Sequence, residues 1–90
     1  MNIQSFTPKQ LSASGNAVNT DGIMAGVFCS SSSSGTLTIY DDAATGTTNK
    51  IVDTFPLVAG TFYPLPITFA AGLNLVLGGT ASFTLLYVRG

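Results

Sequence analysis

Apolar and polar residues alternate with a period of two along much of this chain, which is the pattern of half-buried β-strands. The stretch GTLTIYDDAATGTTNKIVDTF, residues 35–55, contains two such alternations separated by a run of small polar residues. The first alternation places Leu37 and Ile39 on one face, and the second places Ile51 and Phe55 on one face. The pattern predicts a β-hairpin with a wide tip of small residues.

Similar segments precede and follow this hairpin. QLSASGNAV (10–18), IMAGVFC (23–29), GLNLVLGG (72–79) and TASFTLLYV (80–88) indicate further strands. Pro64 and Pro66 interrupt LVAGTFYPLPITF, and because proline cannot donate to a ladder, this piece belongs at a sheet edge or in a crossover. Five consecutive serines and a glycine, residues 30–35, predict a flexible loop between two strands.

The spacing of these segments predicts the fold class. About seven to eight short antiparallel strands, with turn signals roughly every ten residues, favour an all-β chain folded as a compact β-sandwich or jelly-roll-like barrel. Residues 12–90 form one domain in this interpretation, and residues 1–11 are either an N-terminal arm or an edge strand. The predicted core consists of Ile23, Ala25, Val27, Leu37, Ile39, Ile51, Phe55, Leu73, Leu75, Leu77, Phe83 and Leu85.

The composition leaves little charge for a solvated surface. Charged residues make up 8% of the chain and hydrophobic residues 46%, whereas soluble domains carry roughly 25% charged residues. Much of the surface is therefore expected to be covered, either by copies of the same chain or by a larger assembly. The alternative is a monomer that its many hydroxyl groups keep in solution. The chain has one cysteine and so no intrachain disulfide, which leaves oligomerisation as a source of stability.

Several functions are disfavoured by what the chain lacks. Histidine is absent, which removes the common Ser-His and Cys-His nucleophiles and the usual zinc ligand sets. We therefore predict neither an enzyme nor a cofactor or metal site. A net charge of −1 and three scattered cations argue against nucleic-acid binding. The longest apolar stretch is far shorter than the ~20 residues of a membrane-spanning helix, so no membrane association is predicted. The N-terminus does not resemble a secretory signal.

The remaining polar groups allow two interpretations each. Asp41, Asp42 and Asp53 can form a weak Ca²⁺ site or cap turns and strand ends, and the second is favoured because calcium usually requires about six oxygen ligands. Cys29 can be a reactive thiol or a small buried hydrophobe, and the second is favoured because no cation lies near it in sequence.

Aromatic and N-terminal residues are the candidates for partner binding. The three tyrosines can form a sugar-binding platform, but tyrosine more often occupies half-buried or interface positions. The segment MNIQSFTPKQL carries apolar residues around Pro8, and as an arm it would order on a neighbouring subunit. The predicted partner-binding residues are Ile3, Phe6, Leu11, Tyr40 and Tyr63.

The order of these segments resembles small virion proteins of tailed bacteriophages. The resemblance covers residues 12–88 and rests on GVFC followed by a serine-rich loop, GTLTIYD, a TGT turn, YPLP and the final GLNLVLGGTASFTLLYV. It implies a β-sandwich structural protein with no catalytic motif. The implied function is that of a head decoration (cement) protein that stabilises the capsid shell as a homotrimer.

The resemblance also implies partners and a location. The partners would be the major capsid protein or other virion proteins, together with further copies of the chain. The location would be the capsid surface of the virion, after a period in the host cytoplasm during assembly. A small tail, baseplate or head-closure component fits the resemblance equally, and a glycan- or host-binding module on the virion is a further alternative.

Overall fold

A computed structural model describes residues 6–89, and all regular secondary structure in that range is β-strand. This confirms the all-β prediction. The six strands are β1 (Thr7–Leu11), β2 (Gly15–Val18), β3 (Gly22–Tyr40), β4 (Lys50–Pro56), β5 (Thr61–Phe69) and β6 (Leu73–Arg89).

Two long strands form the centre of one antiparallel sheet. β3 and β6, of 19 and 17 residues, pair from Gly22 with Arg89 to Tyr40 with Asn74. β1 and β2 pair with successive parts of β6 on its free side, and β5 and β4 pair with successive parts of β3. One end of the sheet thus has the order β1-β6-β3-β5, here called the β1/β5 half. The other end has the order β2-β6-β3-β4, here called the β2/β4 half.

The two halves share one hydrophobic core. Buried side chains such as Val27 and Phe83 from the β1/β5 half belong to the same cluster as Leu37 and Leu75 from the β2/β4 half. A flat single layer cannot enclose a common core, so the sheet folds over and the halves face each other as in a sandwich.

The fold-over occurs where both long strands are irregular. Ser34 in β3 has a φ of 58° and Gly79 in β6 a φ of 69°, values in the left-handed region that few non-glycine residues adopt. The two positions lie beside each other, since a Cβ on Gly79 would overlap the carbonyl oxygen of Ser34. Glycine at position 79 therefore permits the close approach of the two strands at the bend.

The serine run is not a flexible loop, and that prediction was wrong. Ser31, Ser32 and Ser33 are strand residues that pair with Ser82, Ala81 and Thr80 of β6. The segments predicted as separate strands on either side of the run are one strand, β3. In the same way, residues 72–79 and 80–88 contribute to the single strand β6. The chain therefore has six strands in the described range rather than seven or eight.

Bulges in β3 explain the errors in the predicted core. Relative to β6, the register shifts between Met24 and Gly26, between Cys29 and Ser31, and again after Ser33. Each shift adds one residue to β3, and an added residue reverses which face the following side chains occupy. The first shift puts Met24 in the core with no exposed surface and leaves Ile23 exposed, contrary to prediction.

The rest of the predicted core, apart from Ala25, is either fully buried or partly buried against the core cluster. Ala25, at the first shift, is only half-buried. The predicted residues that are fully buried are Val27, Leu37, Ile39, Leu73, Leu75, Phe83 and Leu85. Those that are partly buried and pack against the cluster are Ile51, Phe55 and Leu77.

The hairpin and the edge strand agree with the sequence pattern. β3 and β4 pair as predicted, with Leu37 opposite Phe55 and Tyr40 opposite Lys50, and β4 gains one residue at each of two register shifts between these pairs. Among the described residues, β5, which carries Pro64 and Pro66, pairs only with β3 and is an edge strand. Its prolines are tolerated because a proline nitrogen can face the open side of an edge strand without removing a ladder bond.

Candidate functional site

The outward surface of the β1/β5 half carries three exposed large apolar side chains. Ile23, Phe28 and Phe62 are 45%, 39% and 44% exposed, although large apolar side chains are usually buried. Phe28 and Phe62 are direct partners across the β3–β5 ladder. Leu86 and Val88 of β6 alternate with core residues and are half-buried. We call the surface formed by Ile23, Phe28, Phe62, Leu86 and Val88 the outer face.

A glycine lies at the centre of the outer face. Gly26 is opposite Pro64 in β5 and Leu86 in β6. A Cβ at this position would lie 2.8 Å from Cζ of Phe62 and would overlap the carbonyl oxygen of Tyr63. The Phe62 ring therefore lies over the bare backbone of Gly26, and the outer face is smooth at its centre.

None of the five side chains that form the outer face is charged, although the exposed Asp21 lies two residues before Ile23. The outward positions of β1 and β6 that surround the outer face are Pro8, Gln10, Ser82 and Thr84, and Lys9 is on the opposite side of the sheet. The five-residue β1 and three strands of about eight residues, spaced ~4.8 Å apart, give this whole outward surface, polar positions included, an area of roughly 450 Å². Contiguous exposed apolar side chains within such a surface often mark a binding site.

An apolar groove of about 530 Å³ lies between β4 and β5, where the two halves of the sheet separate. The hydroxyl of Tyr63 accepts from the backbone N–H of Val58 at 2.8 Å and donates to the carbonyl of Pro56 at 3.2 Å. The ring of Tyr63 packs against Phe55 with 5.1 Å between centroids. The groove is lined by Val52, Asp53, Phe55, Pro56, Val58, Tyr63 and Leu65.

A polar cavity of about 300 Å³ lies on the opposite side of the molecule, where β1 and β2 separate. It is lined by Lys9, Asn16, Ala17, Val18, Asn19, Tyr87 and Arg89. Two of the three cations of the chain are in this set.

Asp41 and Asp42 cap turns, as the favoured interpretation predicted. Asp41 accepts the backbone N–H groups of Ala70, Ala71 and Gly72 at 3.0, 2.8 and 3.2 Å. Desolvation opposes ionisation of this carboxyl, but the three N–H donors outweigh it and lower the pKa of Asp41. Asp42 accepts two N–H groups of the turn that follows it, at 2.7 and 3.1 Å.

Asp53 and Cys29 also have structural contacts. Asp53 accepts the N–H of Thr54 at 2.8 Å and pairs with Lys50 at 3.1 Å. The Thr54 N–H first, and then Lys50, lower the pKa of Asp53, and the hydrogen bond from Lys50 to Asp53 raises the pKa of Lys50. Cys29 is fully buried, which confirms the favoured interpretation of this residue. Residues 6–89 contain no cluster of three or more His, Cys, Asp or Glu side chains that could hold a metal.

The structure does not bring the predicted partner-binding residues together. Ile3 lies outside the described residues. Phe6 is 41% exposed just before β1. Leu11 ends β1, is half-buried and packs against the core. Tyr40 ends β3 in the β2/β4 half and lines neither cavity, whereas Tyr63 is in β5 with its hydroxyl engaged. The two tyrosines form no common platform.

Sequence reasoning missed the outer face and the polar cavity. Both faces of the segment 23–29 are apolar, which was the available signal for an exposed apolar surface, but Ile23 was assigned to the core. Lys9 and Arg89 are near opposite ends of the chain, so their convergence depends on the pairing of β1 with β6.

No family model, curated protein or solved structure matches this chain. The part of the chain that the structure describes contains no helix with the length and hydropathy of a membrane span.

Proposed function

We propose that this chain is a non-enzymatic structural subunit of a tailed-phage virion, a decoration protein that binds and stabilises the head shell as a homotrimer. The observation that carries the proposal is the outer face. Removing water from an uncharged apolar surface costs little free energy, and a smooth centre allows close packing against another protein. The resemblance of residues 12–88 to small virion proteins supplies the class of partner.

The size of the outer face fits a subunit with several contacts. The whole outward surface of the β1/β5 half, roughly 450 Å² with its polar positions included, is below the ~800 Å² that each partner contributes to a standard interface. One such face would not hold a stable complex alone, but it would serve as one of the contacts of a trimer that is also bound to a shell. The contacts of the acidic and thiol groups agree with a non-enzymatic role. Asp41 and Asp42 accept hydrogen bonds from turns, and Cys29 is buried.

The test compares face variants for binding to shells. Phe28→Ser removes an apolar side chain from the outer face, and Val58→Ser is the matched control because Val58 is 56% exposed but lies beside the apolar groove. Purified wild type and variants are mixed with shells that lack the protein, and the bound fraction is measured by sedimentation. Truncation of a central interface aromatic typically costs about 2 kcal/mol or more, so Phe28→Ser should weaken binding roughly thirtyfold.

Two outcomes would contradict the proposal. One is a wild-type chain that light scattering shows to be monomeric and that no shell retains. The other is equal shell binding by Phe28→Ser and wild type. A reconstruction of the particle by electron microscopy distinguishes a head position from the alternative tail, baseplate or head-closure position. If neither the head nor the tail contains density for the chain, the virion assignment is rejected.

A further inference from the structure

We infer that the polar cavity between β1 and β2 binds a small oxyanion, a carboxylate or a phosphate group. This inference does not depend on the proposed function. It rests on the identity of the residues that line the cavity and on how the fold brings them together.

The cavity concentrates the positive charge of the chain. The chain has three cations and four anions, with a net charge of −1. Lys9 and Arg89 line the cavity, and no Asp or Glu is among the lining residues. Lys50, the third cation, is elsewhere and is paired with Asp53. A chain that is acidic overall therefore has one local positive site.

The strand register explains this convergence. Thr7 and Lys9 of β1 pair with Tyr87 and Leu85 of β6, so the side chains of Lys9, Tyr87 and Arg89 are on the same face of the sheet. The register places Lys9 opposite Leu85, four residues from Arg89, so the two cations reach the cavity from different points along β1 and β6. Among the described residues, neither Lys9 nor Arg89 forms a salt bridge with a carboxylate. A bound anion would supply that partner.

The other lining residues suit the same ligand. Ala17 and Val18 also line the cavity and are buried. The amide nitrogen of Asn16 is already engaged by the carbonyls of Asp42 and Ala44, at 3.0 and 2.8 Å. The groups available to an anion are therefore the Lys9 ammonium and the Arg89 guanidinium, with the Tyr87 hydroxyl and the Asn19 amide beside them. Arginine binds carboxylate and phosphate through two parallel hydrogen bonds, and lysine adds a point charge.

The cavity has a volume of about 300 Å³, which has room for one small anionic group. This is the lower end of the range of small-molecule sites, ~300–1,000 Å³. A single carboxylate or phosphate fits, either free or at the end of a larger molecule.

The experiment is an amide NMR titration of the intact chain with inorganic phosphate and, separately, with acetate, at ionic strength held constant with sodium chloride. We expect saturable shifts at Asn19, Tyr87 and Arg89. Lys9→Gln and Arg89→Gln should each weaken binding at least about tenfold, because each removes one charge-assisted contact. Lys50→Gln is the matched control, since it removes a cation outside the cavity and should leave the affinity unchanged.

The two probes distinguish the chemistry of the ligand. Saturation by phosphate alone assigns a phosphate site, and saturation by acetate assigns a carboxylate site. Absence of saturable shifts with both probes would overturn the inference, as would equal weakening by Lys50→Gln and Arg89→Gln. The dispersion of the amide spectrum shows whether each variant is folded, and Tyr87→Phe, which keeps the aromatic ring, gives a second readout with an expected smaller loss of affinity.

Discussion

Replacing Asp41 with alanine should lower the stability of the fold more than any other single change to a carboxylate among residues 6–89. Asp41 follows the last residue of β3, and its carboxylate accepts the N–H groups of Ala70, Ala71 and Gly72. These three residues are the entire connection between β5 and β6. The Asp41 side chain thus attaches the turn between β5 and β6 to the end of β3.

The expected cost follows from these contacts. A hydrogen bond to a charged group contributes roughly 1.5–3 kcal/mol. Ala70 and Ala71 are exposed, so their N–H groups can be hydrated in the variant, whereas Gly72 is buried. If the bond from Gly72 contributes nearly its full value and the bonds from Ala70 and Ala71 a fraction of it, Asp41→Ala lowers the free energy of unfolding by about 3 kcal/mol. For a domain of this size that lowers the Tm by roughly 10–20 °C.

The pH dependence identifies the charge as the cause. The pKa of Asp41 is lowered in the folded state, so its ionised form stabilises the fold above the unfolded pKa of about 3.9. This contribution is lost as the pH falls through the lower, folded pKa. The difference in stability between wild type and Asp41→Asn should therefore be largest near neutral pH and should narrow progressively below about pH 4.

The assay is urea denaturation followed by circular dichroism, at a series of pH values. Asp53→Ala is the control, because the Asp53 side chain is 83% exposed and its pair with Lys50 is at the surface, where such pairs contribute little to stability. The reasoning is refuted if Asp41→Ala is no less stable than Asp53→Ala, or if the difference from wild type is the same in acid as at neutral pH.

Three further changes probe the core, the outer face and the bend. Phe83→Ala, in the fully buried core, should cost about 3–5 kcal/mol in urea denaturation, and a cost near that of an exposed Phe28→Ala, under about 1 kcal/mol, would contradict the core assignment. Gly26→Ala should cost about 1–3 kcal/mol, because its Cβ meets Phe62 and the Tyr63 carbonyl; a variant with the wild-type Tm would show that this approach is not close. Ser34→Val should be less stable than Ser34→Gly by about 1–2 kcal/mol, because position 34 has a φ of 58°, and the opposite order would place the bend elsewhere.

The hairpin of β3 and β4 and the edge position of β5 could be predicted because their signals are local. The alternation around Leu37 and Ile39 is uninterrupted, and the two prolines of β5 exclude a central position. Which side chains of the first part of β3 point into the core could not be predicted in the same way. Each bulge adds one residue to β3 opposite β6, and the apolar/polar alternation of the sequence does not show where a bulge occurs.

The strand structure of the serine run depends on a distant partner. Ser30 donates a hydrogen bond to the carbonyl of Ser82, 52 residues away. Serine has little preference for strands, so the neighbouring strand rather than the local sequence determines the conformation here. The polar cavity depends on long-range pairing for the same reason, since Lys9 and Arg89 meet only when β1 joins β6. The capping function of Asp41 was predicted from its position at a turn, but its partners 29–31 residues away were not.

Prolines in the two edge strands of the β1/β5 half, β1 and β5, limit how the backbones of two copies of the chain can pair. Pro8 in β1 and Pro64 and Pro66 in β5 lack the hydrogen that an added strand would need as a donor. An exposed edge strand without proline can form a backbone ladder with an identical chain, and repetition of this pairing builds fibrils. At these two edges, crowded copies of this protein can therefore touch through side chains while the prolines hinder pairing of their backbones.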